Sequence, residues 1–454
     1  MKPDLAPYFD YLDHVELNRI QGRVVDVIGL VVEGMGVDAP TGTICRIESN
    51  GREEEIRAEV VGFRSNRILL MPYGEVRGIR PGARITPQGG RARAEVGEGL
   101  LGRVIDGLGR PLDGKGPLSC DSYYPLYGQG INPLDRPRIS RPVDVGVRAI
   151  NGLLTMGKGQ RMGIFAGSGV GKSTLLSMIA RNTSADVSVV GLIGERGREV
   201  KEFIERDLGQ EGLKRSVVVA ATSDQPPLIR MRGAYLATAV AEFFRDQARN
   251  VVLMVDSMTR FSMAGREVGL AVGEPPTTKG YTPSVFAHLP KILERAGTSK
   301  SGGSISGIYT VLVEGDDLND PIADAMRSIL DGHVVLTRQL AERNHYPAVD
   351  VLKSVSRLMP DVVTPEHGAT AQAFRRLLAV YRRNEDLINI GAYVKGSNPE
   401  IDRALKMIPE INDYLRQQVD VPIRLEEAVA GLTALMARSQ KQADRPEGRT
   451  GEEG

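Results

Sequence analysis

The chain has only two cysteines in 454 residues, Cys45 and Cys120. That is too few for a disulfide framework and fits a reducing cytosol. Its five histidines are scattered, and no Cys/His group has the spacing of a zinc site. No window approaches 18 uninterrupted apolar residues, which argues against a membrane span. The opening stretch MKPDLAPYFDYLDHVELNRI carries acids at 4, 10, 13 and 16 and lacks the apolar core of a signal peptide. Neither sign of charge is in excess: 58 basic against 57 acidic residues leave a net +1, which does not suit a protein that coats nucleic acid. The expectation is a soluble cytosolic chain, long enough for two or three domains.

Three regions of different character follow one another. In residues 1–92, Ile56, Ala58 and Val60 alternate with Arg57 and Glu59 as in a half-buried strand. RVVDVIGLVV and RILLM add β-rich runs, and SNG at 49–51, PYG at 72–74 and RPG at 80–82 supply turns. A small barrel or sandwich is expected. The stretch 106–142 is rich in Gly and Pro and reads as an irregular connector. From 160, Val/Ile-rich runs at 162–166, 187–193, 216–221, 251–256 and 305–313 alternate with helical stretches such as REVKEFIERDL, the pattern of a mainly parallel α/β sheet. Asp320-Pro321 starts a helix as cap and first-turn proline. Beyond 360 the period is helical: Phe374, Leu377, Leu378 and Tyr381, then Ile401, Ala404, Leu405 and Ile408, then Leu425, Ala428, Val429 and Leu432. The tail QKQADRPEGRTGEEG is polar and expected to be disordered. The expected division is 1–92, 93–360 and 361–454.

GIFAGSGVGKSTLL, 163–176, puts small residues and one lysine between two apolar runs. It reads as a phosphate-binding loop in which the backbone of Ala166, Gly167, Ser168, Gly169, Val170 and Gly171 curls around phosphates. Lys172 would reach the β- and γ-oxygens, with the Ser173 hydroxyl on Mg²⁺ and Thr174 beside it. The usual pattern opens on Gly where this chain has Ala166, and an ordinary strand–turn–helix junction would look similar. A phosphate loop also needs a carboxylate for magnesium at a neighbouring strand end. Asp256 closes VVLMVD, although acids at strand ends also serve turns. Hydrolysis needs a residue that orients the attacking water. Glu195 in GERGREV, 194–200, would emerge at the same sheet edge, with Arg196 as its partner; a solvated loop-end ion pair is the competing reading.

YPAVDVLKSVSRLM, 346–359, with Pro347-Ala348-Val349-Asp350 followed by Ser354 and Ser356, matches a signature of rotary-type ATPase subunits. Together with AGSGVGKST, GERGREV and VDSMTRF in this order, it resembles the core of the rotary-type hexameric ATPases over nearly the whole chain. The resemblance implies a multi-domain α/β protein: a small N-terminal β-barrel, a central RecA-like P-loop domain with a mainly parallel sheet, and a C-terminal helical domain. It implies six subunits in a ring, with ATP and Mg²⁺ between neighbours. It further implies Lys172, Ser173 and Thr174 on phosphate and Mg²⁺, Asp256 behind the metal, and Glu195 as general base with Arg196 as its partner. Tyr346 would stack on adenine, and Arg357 would reach the neighbour's γ-phosphate. DD at 316–317 resembles an acidic loop near the nucleotide and is given no definite role.

Within this family, non-catalytic synthase subunits typically have Gln where this chain has Glu195. The acidic rotor-contacting segment of the catalytic synthase subunit is missing; the helical end reads IPEINDYLRQQVDVPI. Residues 148–176 and 280–357 closely resemble the type III export ATPases. PTTKGYTPSVF, GTSKSGGSISGIYT and the length of the N-terminus look more like the flagellar branch than the injectisome branch. A Rho-type RNA translocase would want a basic, aromatic-interleaved front, which 1–92 lack, so no nucleic-acid partner is expected. The resemblance implies ATP hydrolysis for protein export in the cytoplasm, peripheral to the inner membrane. Implied partners are a stator protein of the FliH type meeting the amphipathic start (Leu5, Tyr8, Phe9, Leu12), a central stalk, chaperone–substrate complexes and the export gate at the inner membrane. A frayed N-terminus is the competing reading of that start.

Overall fold

Period-two alternation in the first region closes into a barrel. The protein is described from a computed structural model covering residues 21–48, 55–313, 315 and 317–443. The amphipathic start, the 49–51 turn, Asp316 and the tail after 443 lie outside the described residues. Strands β1 (Gly22–Ile28), β2 (Val31–Met35), β3 (Thr43–Ile47), β4 (Ile56–Arg64), β5 (Arg67–Pro72) and β6 (Arg84–Arg91) close in the order β1-β2-β5-β4-β3-β6. The interior is filled by Val24, Val32, Cys45, Ile47, Ala58, Val60, Leu70 and Ile85. Gly34 keeps it open, since a Cβ there would meet Ile85 Cδ1 at 2.4 Å.

One alternation expectation is corrected. Glu59 sits on the outer face of β4, yet it is buried. Tyr73 and Tyr127 donate to its carboxylate at 2.7 and 3.0 Å, and Arg232 approaches at 3.4 Å. The barrel's outer wall is packed against the central region, so a face that period two marks as wet is covered by the next region's helix.

The central sheet has nine strands among the described residues. Along its main path run β14 (Val355–Ser356), β13 (Gly332–Leu336), β8 (Arg161–Ala166), β12 (Ser304–Leu312), β11 (Asn250–Asp256), β9 (Val187–Ile193), β10 (Ser216–Ala221) and β7 (Val104–Asp106). Pairing is parallel except for β14 on β13 and the short Gly297–Thr298 strand on β12. Every residue of β9 and β10 is buried, as a sheet covered on both faces requires. Alternate residues divide between two cores. Val187, Val189, Val217 and Val219 pack with the helix Pro227–Asp246 and the barrel's Leu69, Met71 and Tyr73. Val190, Leu192, Val218 and Ala220 pack toward the helix Lys172–Asn182 and the C-terminal helices. β7 and β13 are short strands that the apolar runs did not single out. The Gly/Pro-rich connector is mostly irregular; it holds the strand Ser122–Pro125, which pairs with Arg93–Val96, and a short 3-10 turn at Pro133–Asp135, and it runs into the strand Pro142–Val143.

Asp320 caps the helix Pro321–Ile329 as expected, accepting from Ile322 N and Ala323 N. The chain ends in helices Pro365–Asn389, Pro399–Leu415 and Leu425–Ala443. In the second, the buried face is Ile401, Ala404, Met407 and Ile411, whereas Leu405 and Ile408 are only half-buried. The face is thus rotated slightly from the period reading, because Met407 supplies core contacts that branched residues were expected to make. Among the described residues no helix is long and apolar enough to cross a membrane.

Candidate active site

Parallel pairing brings the carboxyl ends of β8, β9, β11 and β12 to one edge of the sheet, and the site is built there. β8 ends at Ala166, which is still a strand residue and is not among those with left-handed backbone; glycine is therefore not required there. Past it the chain turns through Gly169 at φ 78° and Gly171 at φ 94°, where a side chain would be strained. Val170 is buried and anchors the loop from below. Helix α1 (Lys172–Asn182) starts at once, so the amides of its first turn point at the loop without partners inside the helix. An anion seat results. The Tyr346 ring lies beside it: a Cβ on Gly171 would stand 3.6 Å from Tyr346 Cδ1 and Cε1. Tyr346 is 40% exposed.

Lys172 reaches back under the loop. Its ammonium donates to Asp256 Oδ1 and stands 3.4 Å from Glu195 Oε1. Burial works against this charge, but the two carboxylates outweigh burial and hold the lysine above its ordinary value. Burial also pushes the Glu195 carboxyl up to about 7; Lys172 pulls against the rise, while Asp256 and Glu199 add to it. Glu199 moves the other way, held down chiefly by its hydrogen bond with Glu195. A cavity of about 80 Å³ is lined by Ser173, Glu195, Glu199, Asp256 and Phe203 among others. Lys172, Ser173, Glu195 and Asp256, far apart in sequence, therefore meet.

Gly194 (φ 71°) lets Glu195 leave the strand end, and a Cβ there would come within 2.7 Å of Arg260 Cβ. Arg260 escaped the sequence reading although it lies in VDSMTRF. It is half-buried behind Gly194, and its Nε has no partner in the structure. A buried guanidinium nitrogen without a partner is a feature sequence spacing cannot show.

Two expected residues stand outside this cluster. The Arg196 side chain is 80% exposed and pairs with Glu199 at 3.5 Å. Arg357 follows β14, whose Ser356 pairs with Gly332 at the start of β13, level with Met162. Ala166 is four residues further along β8, about 13 Å at 3.3 Å per residue, and Lys172 lies beyond. Arg357 is thus exposed at the opposite edge of the sheet, donating to the Arg327 carbonyl at 3.2 Å. Asp317 turns its carboxylate to the Asn319 amide at 2.9 Å.

The chain is similar to known proteins in both sequence and fold. Residues 146–356 match the ATP synthase alpha/beta family, nucleotide-binding domain; 24–89 match that family's beta-barrel domain; 363–434 match the T3SS EscN ATPase C-terminal domain. The flagellum-specific ATP synthase of Bacillus subtilis is 53% identical over 438 residues, covering 95% of this chain and 98% of its own. The solved structure of the assembled ATPase EscN from the enteropathogenic E. coli type III secretion system superposes with a TM-score of 0.87 at 46% identity, covering 91% of this chain and 99% of that one. The same ATPase in complex with its central stalk EscO superposes with a TM-score of 0.84, with the same identity and coverage.

Proposed function

This chain belongs to the type III export ATPases of the ATP synthase alpha/beta family, and from that premise we propose that it hydrolyses ATP to energise flagellar protein export. Identities overlap between the branches, 46% to 53% for the flagellum-specific relatives and 46% to 51% for the type III secretion ATPases, so the flagellar reading rests on PTTKGYTPSVF and GTSKSGGSISGIYT; an injectisome ATPase is the second reading. The match of 363–434 to the EscN C-terminal domain speaks against a rotary synthase subunit. The observation that carries the reading is Lys172 held between Asp256 and Glu195 at the mouth of the glycine loop.

In this reading the arriving phosphates take the α1 amides and the Lys172 charge, which releases the lysine from Asp256. Glu195, whose carboxyl is pushed up to about 7, accepts the proton of the attacking water in its ionised form. Tyr346 holds the base against its ring. Among the described residues no three His, Cys, Asp or Glu side chains could cage a metal. Mg²⁺ fits nonetheless, because it takes few protein ligands and keeps phosphates and water: the exposed Ser173 hydroxyl would bind it with Asp256 behind. When bound, it neutralises charge on the β- and γ-phosphates.

Arg357 lies too far from its own loop to act there, so it serves the site of the next copy, and the working form is a ring of six. EscN assembles and binds a central stalk; the same kind of assembly and stalk are proposed here. A stator protein at the N-terminus, chaperone–substrate complexes and an export gate at the inner membrane complete the proposed setting, on the cytoplasmic side. Residues 1–92, 93–360 and 361–454 are taken as barrel, ATPase and helical units. Parallel nucleotide titrations and turnover assays test the core of this. Lys172→Ala should lose affinity, whereas Glu195→Gln should bind Mg-ATP and hydrolyse it very slowly. Near-normal turnover by Glu195→Gln would remove that residue from the chemistry.

A further inference from the structure

β12 runs between the phosphate-loop strand β8 and the Asp256 strand β11. Its register sets Thr310 opposite Ile164 on one side and one step beyond the Tyr309–Val255 pair on the other. Among the buried apolar residues Ile308, Tyr309 and Val311, a fully buried threonine stands out. A buried hydroxyl must find a partner, and this one donates to Asp256 Oδ1 at 2.6 Å. The same oxygen accepts from Lys172, and Asp256 lines the cavity with Ser173 and Glu195.

The two donors differ in what they can do when nucleotide arrives. Lys172 is the charge the phosphates compete for, and it hangs on a long flexible chain. Thr310 is fixed in a central strand with a β-branched side chain that has few rotamers, so it cannot follow. We propose that Thr310 is a positioning residue of the ATPase site, keeping the Asp256 carboxylate partnered and aimed so that Lys172 is free to leave for phosphate. The proposal rests on the reading that Lys172 binds nucleotide phosphate.

Valine keeps the branched shape and removes the hydroxyl, so Thr310→Val leaves Asp256 Oδ1 dependent on Lys172. Phosphate must then take the lysine from a carboxylate with no substitute donor. Equilibrium binding of fluorescent ADP, with and without Mg²⁺, reads this without turnover. Thr310→Val should weaken binding about tenfold, from the loss of a hydrogen bond to a charged group. Thr310→Ser should stay within about twofold. On an Asp256→Ala background, Thr310→Val should cost nothing further, because the effect runs through Asp256. Wild-type binding by Thr310→Val, serine as damaging as valine, or full additivity on the Asp256→Ala background each overturns the proposal. If the valine variant does not fold, Thr310→Ala carries the same arm. Undiminished binding by Lys172→Ala would instead overturn the nucleotide-site reading beneath it.

Discussion

The two edges of the central sheet are built from one chain and hold their cations in opposite ways. At the carboxyl edge the cation Lys172 is enclosed, matched by Asp256 and Glu195 of its own chain, and roofed by a glycine loop. At the amino edge Arg161 is engaged by Asp331 and Glu294, while Arg357 stands out in solvent. One edge holds the glycine loop with its enclosed lysine; the other holds an exposed arginine far from that loop. A parallel sheet separates strand ends by the length of its strands, so no side-chain rearrangement joins them within one copy. On the proposed reading, the difference teaches why the site would be completed by another copy of the chain.

The strongest way to break this comparison is to remove the amino-edge cation. An arginine supplied in trans is worth roughly 10³–10⁵ in turnover, so Arg357→Ala should be almost inactive while still binding ATP. Mixed with the equally inactive Lys172→Ala, it should regain partial activity, because some interfaces then pair an intact loop with an intact arginine. Verified mixed assembly with no regain, together with wild-type activity that does not depend on protein concentration, would place the arginine's role elsewhere.

Next in size is the carboxyl-edge base. Glu195→Gln should lower turnover by roughly 10²–10⁴, and wild-type turnover should fall as the pH drops below about 7, where Glu195 takes up its proton. The same shift has a stability consequence. Between the ordinary carboxyl value of 4.5 and about 7, the folded state holds a proton that the unfolded chain has lost, so stability falls as pH rises through this window. Glu195→Gln removes that cost and leaves Lys172 its Asp256 partner. Denaturant unfolding should find the variant more stable at pH 8, on the order of 1 kcal/mol, with the gain vanishing near pH 4.

A smaller effect sharpens the rim of the carboxyl edge. Tyr346→Ala should raise the Michaelis constant roughly tenfold with little change in turnover, and Tyr346→Phe should be nearly silent, since ring stacking is mostly ground-state binding. Steady-state kinetics with equal losses for both variants would point to the hydroxyl. The smallest change is expected at Arg196. Its exposed pair with Glu199 is of the kind worth a few tenths of a kcal/mol, so Arg196→Ala should cost turnover less than threefold. A loss approaching that of Glu195→Gln would bring Arg196 into the chemistry.

Much of this was legible in local patterns. Lys172, Asp256 and Glu195 were found because each ends or follows an apolar run, and parallel strands carry such ends to one edge. The barrel was legible in its alternation and turns, and the helical end in its period. What local pattern could not give was whatever depends on a second layer. Glu59 reads as a solvent residue and is buried under Arg232. Leu405 reads as core and is only half-covered. Arg260 and Thr310 carry no spacing signal, because a buried guanidinium without a full set of partners and a hydroxyl in an apolar strand become unusual only once their neighbours are known.

The sequence by itself determined which residues are chemically able to act and the order of barrel, sheet and helices, because glycine, charge and apolar period work over a few residues. Tertiary structure alone decided which of those residues meet. It joined Lys172 to Asp256 and Glu195 across 84 and 23 positions, and it kept Arg357 away from them. Contacts of that kind are set by strand order and register, and these follow from how whole faces bury against one another.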